Sequence, residues 1–450
     1  GGFDMEAAEA VCPGVDVEDF EVVELLDALV DKSLVQADDS GATARFRLLE
    51  TMHEYAGAKL AGRDDSERAQ VARSHRDYYL ALAGMAEPHL HGPGEVEWAA
   101  RLDLELCNLR GALATSLSDP DPDPGLRLGA SLGEFWFLRG YGVEGADTLR
   151  AHLDRASGEA PRLLRGRALA AAGRLVEEYV ADYPLALMMA EEALAIAHDE
   201  GDDVLAMRAI LVVVIARNLQ GDHRGSLELI DEALPAARRL DDPRHAARLL
   251  NARGWALDEL GLDGRASYEE CAELNRRAGD QRGLAAGVGN LGFLALLAGD
   301  LDAAREHNGE ALRVFRELGD LRGVAIGSLN SGYATYLDGD GVAACRLFLE
   351  CLATARRMGA RRYVAYAILG LADTATLTGH SQRAATLHGA FDALFEQLGA
   401  GIEALEARLR EADHARLRAL LGDSAFDIAY SAGRALPLDH VLALAISPAD

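Results

Sequence analysis

Residues 279–299 read GDQRGLAAGVGNLGFLALLAG, and residues 319–339 read GDLRGVAIGSLNSGYATYLDG. The two stretches align without a gap at a spacing of 40 residues, and the spacing continues on either side. One glycine series runs Gly279, Gly319, Gly359, Gly399. A second runs Gly221, Gly261, Gly299, Gly339, Gly379, with one step of 38 among steps of 40. A small residue recurs at Ala146, Ala186, Ser226, Ala266, Ala304, Ala344 and Ala384, again with a single step of 38. Seven copies in register make an internal repeat, which takes precedence over any local feature.

Each copy has the anatomy of a helical hairpin. A helix-period segment ends near a glycine that Asp often follows, as in Gly221-Asp222, Gly299-Asp300 and Gly339-Asp340. Glycine suits the left-handed position after a helix, and the following Asp can cap the next helix. The small residue falls early in the second helix, where a bulky side chain would hold the hairpin apart. Gly254, Gly292, Gly332 and Ala372 precede it by 12, and Ala193, Ala233, Ala311 and Cys351 follow it by 7. Small residues at these linked offsets resemble the tetratricopeptide repeat over roughly Leu126–Gly399. The common unit has about 34 residues, so a unit near 40 carries an extra helical turn or a longer connection. HEAT-like repeats share the period, but the Gly/Ala offsets favour the tetratricopeptide reading. The expected fold is all-α: a tetratricopeptide-like right-handed superhelical solenoid of about seven repeats over residues 126–400, preceded by a partial winged helix.

Composition bounds the function. The 450 residues carry 73 acids against 45 bases, a formal charge of −28. Lys32 and Lys59 are the only lysines, and neither follows the glycines of a P-loop, so that nucleotide site is excluded. The acid excess opposes broad nucleic-acid binding, which needs a basic stripe. The longest apolar run, Ala209–Ala216, is far short of a membrane span. Cys12, Cys107, Cys271, Cys345 and Cys351 are scattered and form no C-x-x-C; they read as buried small hydrophobes in a reducing cytoplasm, with no disulfide framework or zinc site. His89 and His91 lie close together, but no third ligand is placed, so no metal and no cofactor is expected. Gly287–Gly292 and Gly140–Gly145 both match G-x-G-x-x-G. The first falls inside a repeat helix and the second ends one residue before the repeat position Ala146, so both read as packing or turn glycines rather than dinucleotide loops. No spacing supports a catalytic triad or a metalloprotease motif. The chain is not read as an enzyme.

The ends differ from the repeat. In residues 1–62, an amphipathic helix over Phe20–Val30 leads to short strands at Ser33–Ala37 and Ala44–Leu48, then to a helix over Leu49–Ala61. Helix, hairpin and helix are what a winged helix leaves when its first helix is missing. Fourteen acids against four bases there would repel DNA phosphates, which favours a structural or autoinhibitory wing. Residues 63–125 read as a helical connector ending in Asp119-Pro120-Asp121-Pro122-Asp123-Pro124, a stiff solvated linker whose prolines oppose a helix. Residues 401–450 read as a helical cap, with helices at Leu405–Leu421, Ser424–Ser431 and Leu438–Ala445.

Several stretches together resemble one family, the large actinobacterial STAND-type regulators of MalT-like and AfsR-like architecture. They are GGFDMEAAEAV (1–11), LVDKSLV (29–35), FRLLETMHEYA (46–56), SHRDYYLALA (74–83), LELCNLRGAL (104–113) and LLGDSAFDIAYSAGRAL (420–436). The resemblance implies an NB-ARC-like ATPase before the winged helix, a tetratricopeptide sensor after it, and a LuxR-type helix-turn-helix or a nucleotide cyclase as output. This sequence holds neither the ATPase nor an output domain, and it has no initiator Met. The expectation is a cytoplasmic fragment carrying the regulatory half, in contact with an ATPase that lies outside it.

Function is then expected on the face formed by the first helices of successive repeats. Trp255, Phe293 and Tyr333 follow the small residue of that helix, Asn290 and Asn330 precede it by two, Tyr336 lies one turn on, and Arg208 and Arg248 occupy a common earlier register. By resemblance to peptide-binding tetratricopeptide proteins, the Asn and Arg offsets point into the groove. The amides suit an extended backbone, and arginine suits a carboxylate. Two readings of the aromatics stay open, groove lining or packing between repeats. The leading function is a sensor that binds a protein or small-molecule effector and switches between two states. The rivals are a DNA-binding wing and a ligand-free dimerisation scaffold. No membrane partner is expected.

Overall fold

The computed structural model describes every residue except 1, 15, 16, 42, 157, 159 and 448–450. Asp16, one of the wing's acids, and the chain ends of the two terminal segments lie outside the described residues. The chain divides into two compact units: residues 1–135 with 147–168, and residues 136–146 with 169–450.

The first unit opens on a small mixed layer. Phe3 bridges Phe46, α1 (Met5–Val11) and α2 (Val22–Asp31) follow, and β1 (Val35–Asp38) pairs antiparallel with β2 (Arg45–Leu48), Val35 opposite Leu48. Val22 and Leu26, one turn apart on α2, bury against Ala8, Val35 and Phe46. α1 was not anticipated. The hairpin leads to α3 (Glu50–Ala61), none of whose residues is buried, and then α4 (Asp65–Ala86), α5 (Glu95–Leu104) and α6 (Leu106–Ser118). Arg45 pairs with the buried Glu105, which also accepts from the Tyr79 hydroxyl at 3.0 Å, so the hairpin is tied to the helices behind it.

Two expectations are corrected here. The acidic proline run is shorter and less solvated than its composition suggests. α7 (Asp123–Arg139) already contains Pro124, whose missing N–H is harmless in a first turn, and the Asp119 carboxylate pairs with the buried Arg76. Of the five cysteines, Cys12 and Cys107 are exposed and Cys345 is half-buried; only Cys271 and Cys351 sit in the core.

α8 (Gly142–Arg155) and α9 (Arg162–Leu175) follow. α9 runs into one π-helical turn, Val176–Val180. Gly140-Tyr141 is thus the turn between α7 and α8. In the second unit, paired helices succeed one another: α10 (Tyr183–Glu200); α11 (Asp203–Leu219) with α12 (His223–Ala237); α13 (Arg244–Glu259) with α14 (Arg265–Ala278); α15 (Gln281–Ala298) with α16 (Leu301–Leu318); α17 (Leu321–Leu337) with α18 (Gly341–Met358); and α19 (Arg361–Leu377) with α20 (Ser381–Leu398). α21 (Ala404–Leu421), α22 (Asp423–Ala435) and α23 (Leu438–Ile446) pack on the last hairpin.

Caps set these boundaries. The carboxylates of Asp202, Asp222, Asp280, Asp300, Asp320 and Asp340 each accept the backbone N–H three residues on, each interaction contributing about 1 kcal/mol. Gly279, Gly299, Gly319 and Gly359 close the preceding helices at φ +66° to +78°, a region that side chains disfavour. Ala186, Ser226, Ala304, Ala344 and Ala384 are fully buried, as the spacing requires. Ala266 is the exception and is exposed. The longer connection at 260–264 puts Gly264 against the Gly254 carbonyl instead, two residues out of the apparent register. The glycine on each first helix receives a large side chain from the second: a Cβ on Gly332 would lie 2.6 Å from the Phe348 ring, and one on Gly292 would lie 2.7 Å from Asn308. Close packing therefore comes from a large residue seated over glycine, not from two small residues facing each other.

Candidate functional site

α13 presents His245, Arg248, Asn251, Trp255 and Glu259 at steps of three and four, so they share one face. The two halves of that face differ. At its C-terminal half, Trp255 packs beside Tyr183, Ala216, Leu219 and Ala400, and the Glu259 carboxylate accepts from the Ala404 N–H at 3.4 Å. The Gly401 N–H donates to the Leu219 carbonyl at 2.8 Å. The lead-in to α21 therefore covers this half. The N-terminal half is left polar and part-exposed.

The other expected residues sort the same way. Phe293 is buried, and Tyr333 is fully buried with its ring edge-on to Phe348 at 5.1 Å. The Tyr336 hydroxyl lies 3.4 Å from both carboxylate oxygens of Asp413 on α21. Asn330 is buried on α17. By contrast, the half-buried Asn290 amide donates to the Asn251 carbonyl oxygen at 2.6 Å, linking α15 to α13, while Arg208 on α11 is exposed and Arg248 half-buried. The structure thus brings Arg208, Arg248 and Asn290 to one polar strip. It places Trp255, Phe293, Tyr333 and Tyr336 in packing positions.

Two members of the strip escaped the sequence reading. His245 lies where both arginines act on it. Its burial, reinforced by Arg248 and Arg208 against Asp242, lowers its pKa to about 4, so the ring is neutral at pH 7. Asn251 stands 39 residues before Asn290, one off the repeat, which hid their pairing. Their shared helix face with Arg248 was the available signal. A neutral imidazole and two amides between guanidinium groups can both donate to and accept from a ligand, while the arginines favour an anionic group.

A second polar cluster lies at the π-helical turn. The Glu178 carboxylate is 2.8 Å from Arg322 Nε and 3.5 Å from Arg362 Nη2, and it accepts from the Tyr363 hydroxyl at 2.7 Å. Burial opposes its charge, but the two arginines hold its pKa down at about 2. Burial and the Glu178 charge push the neighbouring Glu177 up to about 8. The recurring Arg282, Arg322 and Arg362 thereby gain a physical role, since Arg282 Nε also stands 3.2 Å from Asp320. Among metal-ligating residues, His89 stacks on Trp98 at 5.1 Å and His91 Nδ1 is 3.8 Å from Glu134. One cluster of three such side chains, Asp373, His388 and Asp413, occurs among the described residues.

No profile of a known protein family matches the chain. It is 34% identical over 293 residues to a protein of Mycobacterium tuberculosis whose assigned name is HTH-type transcriptional regulator, and equally to a Mycobacterium bovis protein of the same assigned name. The match covers 62% of this chain, and the chain spans about a third of those relatives, 32% of their length. Among solved structures, a Rap protein complexed with competence and sporulation factor superposes with a TM-score of 0.55 at 14% identity, over 78% of this chain and 92% of that one. A STAND protein with a tetratricopeptide repeat sensor from Pyrococcus horikoshii gives 0.43 at 11% identity, over 96% of this chain and 63% of that one. The fold is all-α and of the tetratricopeptide-like helical-repeat class. No helix of the described residues is long and apolar enough to cross a membrane.

Proposed function

We propose that the chain is the regulatory sensor and protein-interaction module of a larger cytoplasmic transcriptional regulator of the STAND type. On this reading residues 1–62 are a wing that contacts an ATPase domain of the same regulator, and residues 401–450 are a cap. The effector is an extended peptide, or a small molecule of similar chemistry, that presents a carboxylate to the strip of Arg208, His245, Arg248, Asn251 and Asn290. One observation carries this reading: the polar half of the first-helix face stays part-exposed, while the aromatic half is taken up by packing and by residues 400–413. In a chain of net charge −28, paired arginines on one face form a local sink for anions. The curated relatives named as transcriptional regulators support the regulatory setting.

The test uses immobilised chain and a fluorescent library of random hexapeptides, made in two forms: free C-terminal carboxylates and C-terminal amides. The chain should retain a subset of the free acids and lose it on amidation. Arg248→Ala and Asn290→Ala should each weaken the retained peptides about tenfold, the effect of losing one charge-assisted or paired hydrogen bond. Retention that ignores both substitutions would refute the assignment.

A further inference from the structure

The hairpin of α19 and α20, where α21 packs on it, holds an unusual concentration of unsatisfied polar atoms. Asp373 on α19 is 0% exposed, and neither of its carboxylate oxygens has a hydrogen-bond partner. His388 on α20 is also 0% exposed, and neither ring nitrogen has a partner. Asp413 on α21 is buried, and the Tyr336 hydroxyl lies 3.4 Å from both of its oxygens. These three side chains converge. His388 Nε2 is 3.6 Å from Asp373 Oδ1 and 3.9 Å from Asp413 Oδ2, and one ligand atom from each residue lies within 4.8 Å of the other two.

Buried polar groups are normally paired, because an orphan keeps the full cost of leaving water. Two convergent orphans, with the Asp413 carboxylate beside them on a third helix, call for a common partner. A tetrahedral cation with ligands at about 2.0–2.1 Å places its donor atoms about 3.3 Å apart, so gathering these three onto one ion takes contraction of a few tenths of an ångström between His388 and Asp373 and of up to about 1.5 Å at the widest. One imidazole nitrogen and two carboxylate oxygens suit borderline ions of the zinc type. The Tyr336 hydroxyl stands beside the Asp413 oxygens, where it can orient that ligand.

We propose that Asp373, His388 and Asp413 supply three ligands to a divalent transition-metal cation of the zinc class in a buried site. The ion joins α21 to the α19–α20 hairpin and so fixes the segment that covers the aromatic half of the first-helix face. The competing arrangement is a carboxyl–carboxylate pair in which Asp373 and Asp413 share one proton and no metal is taken up.

The experiment uses the full chain, stripped with a chelator and dialysed, then titrated with zinc chloride and separately with cobalt chloride. Zinc uptake is read by a competing chromophoric chelator, and stability by thermal unfolding. Wild type should take up one zinc that His388→Gln and Asp413→Asn abolish and that His91→Ala leaves in place. Zinc at a hundredfold excess over Kd should raise the melting temperature by roughly 5 °C in wild type and not in either ligand variant. Cobalt should give visible ligand-field bands that the same two variants lose. If His388→Gln fails to fold, the less enclosed Asp413→Asn and the cobalt spectrum decide. Absence of saturable uptake by wild type, or uptake unchanged in Asp413→Asn, overturns the proposal and leaves the shared proton as the explanation.

Discussion

Glu177 and Glu178 are adjacent, isosteric and equally enclosed, yet replacing each by glutamine should have opposite consequences. The Glu178 carboxylate faces Arg322, Arg362 and the Tyr363 hydroxyl. Glu178→Gln keeps the shape but leaves two guanidinium groups in a buried setting without their counter-charge. Removing one partner of a buried pair costs about 3–5 kcal/mol. At about 2 °C per kcal/mol for a unit of this size, the melting temperature should fall by roughly 6–10 °C. Glu177 is pushed up to about 8, so it is mostly protonated at pH 7, and glutamine reproduces that neutral form. Glu177→Gln should therefore leave stability nearly unchanged near pH 4 and raise it at pH 7, by up to about 3 kcal/mol at about 1.4 kcal/mol for each pH unit above 4.5. The pH dependences differ in sign. A carboxyl whose folded pKa is raised binds its proton more tightly in the native state, so its contribution is complete below the unfolded value near 4.5 and is lost as pH rises through about 8. Glu177→Gln should flatten that decline. Glu178, held at about 2, contributes above 4.5 and loses its contribution as pH falls toward 2. Thermal unfolding from pH 4 to 9, with hydrogen exchange on peptides covering 170–183 and 355–370, reads both. Equal destabilisation by the two substitutions, or a harmless Glu178→Gln, would refute the assignment of charge.

The glycine of the first helix makes a second contrast. Gly332→Ala should destabilise by about 1–3 kcal/mol despite better helix propensity, because its Cβ would meet Phe348 at 2.6 Å; Gly309→Ala, on an open helix surface, should stabilise by about 0.5–1 kcal/mol in denaturant titrations. Asp320→Ala removes both the cap on the Gly323 N–H at 3.0 Å and the counter-charge of Arg282, and should cost about 1–2 kcal/mol by the same assay. Asp300→Ala, an exposed cap only, should cost about half that.

The features legible in the sequence are those whose physics is local. Gly279-Asp280 and Gly319-Asp320 can be read because a left-handed residue followed by a capping carboxylate ends one helix and starts the next within a few bonds. The hairpin after α2 is legible for the same reason, its turn residues standing between two short apolar runs. Ala266 falls outside the seat because the 260–264 connection puts Gly264 there, two residues earlier than the repeat spacing indicates. The site was harder to read. Arg208, Arg248 and Asn290 are repeat-register polar residues and could be found, but His245 and Asn251 sit off that register. Glu178 meets Arg362 across 184 residues, and His388 meets Asp413 from a helix outside the repeat. Pairings of that range depend on how helices distant in sequence come together, which a forty-residue period does not encode.

The coverage of the first-helix face follows from the same packing logic. Repeat stacking buries the inner sides of each hairpin, but an aromatic such as Trp255 or Tyr336 at the C-terminal end of a first helix has no later repeat to cover it. The stretch from Ala400 to Asp413 supplies the missing surface. Within fourteen residues it touches α11 through Leu219, α13 through Trp255 and Glu259, α17 through Tyr336 and α19 through Tyr366, whose hydroxyl accepts from the Glu403 N–H at 3.3 Å. A ligand that needed the aromatic half would have to remove this segment from four helices at once and leave Glu259, Tyr336 and Asp413 without these partners. A ligand confined to Arg248, Asn251 and Asn290 leaves that segment in place. The free-energy difference between those two routes makes the polar half the accessible part of the face in this conformation. It also makes the 400–413 segment the element through which a change on one half would be felt on the other.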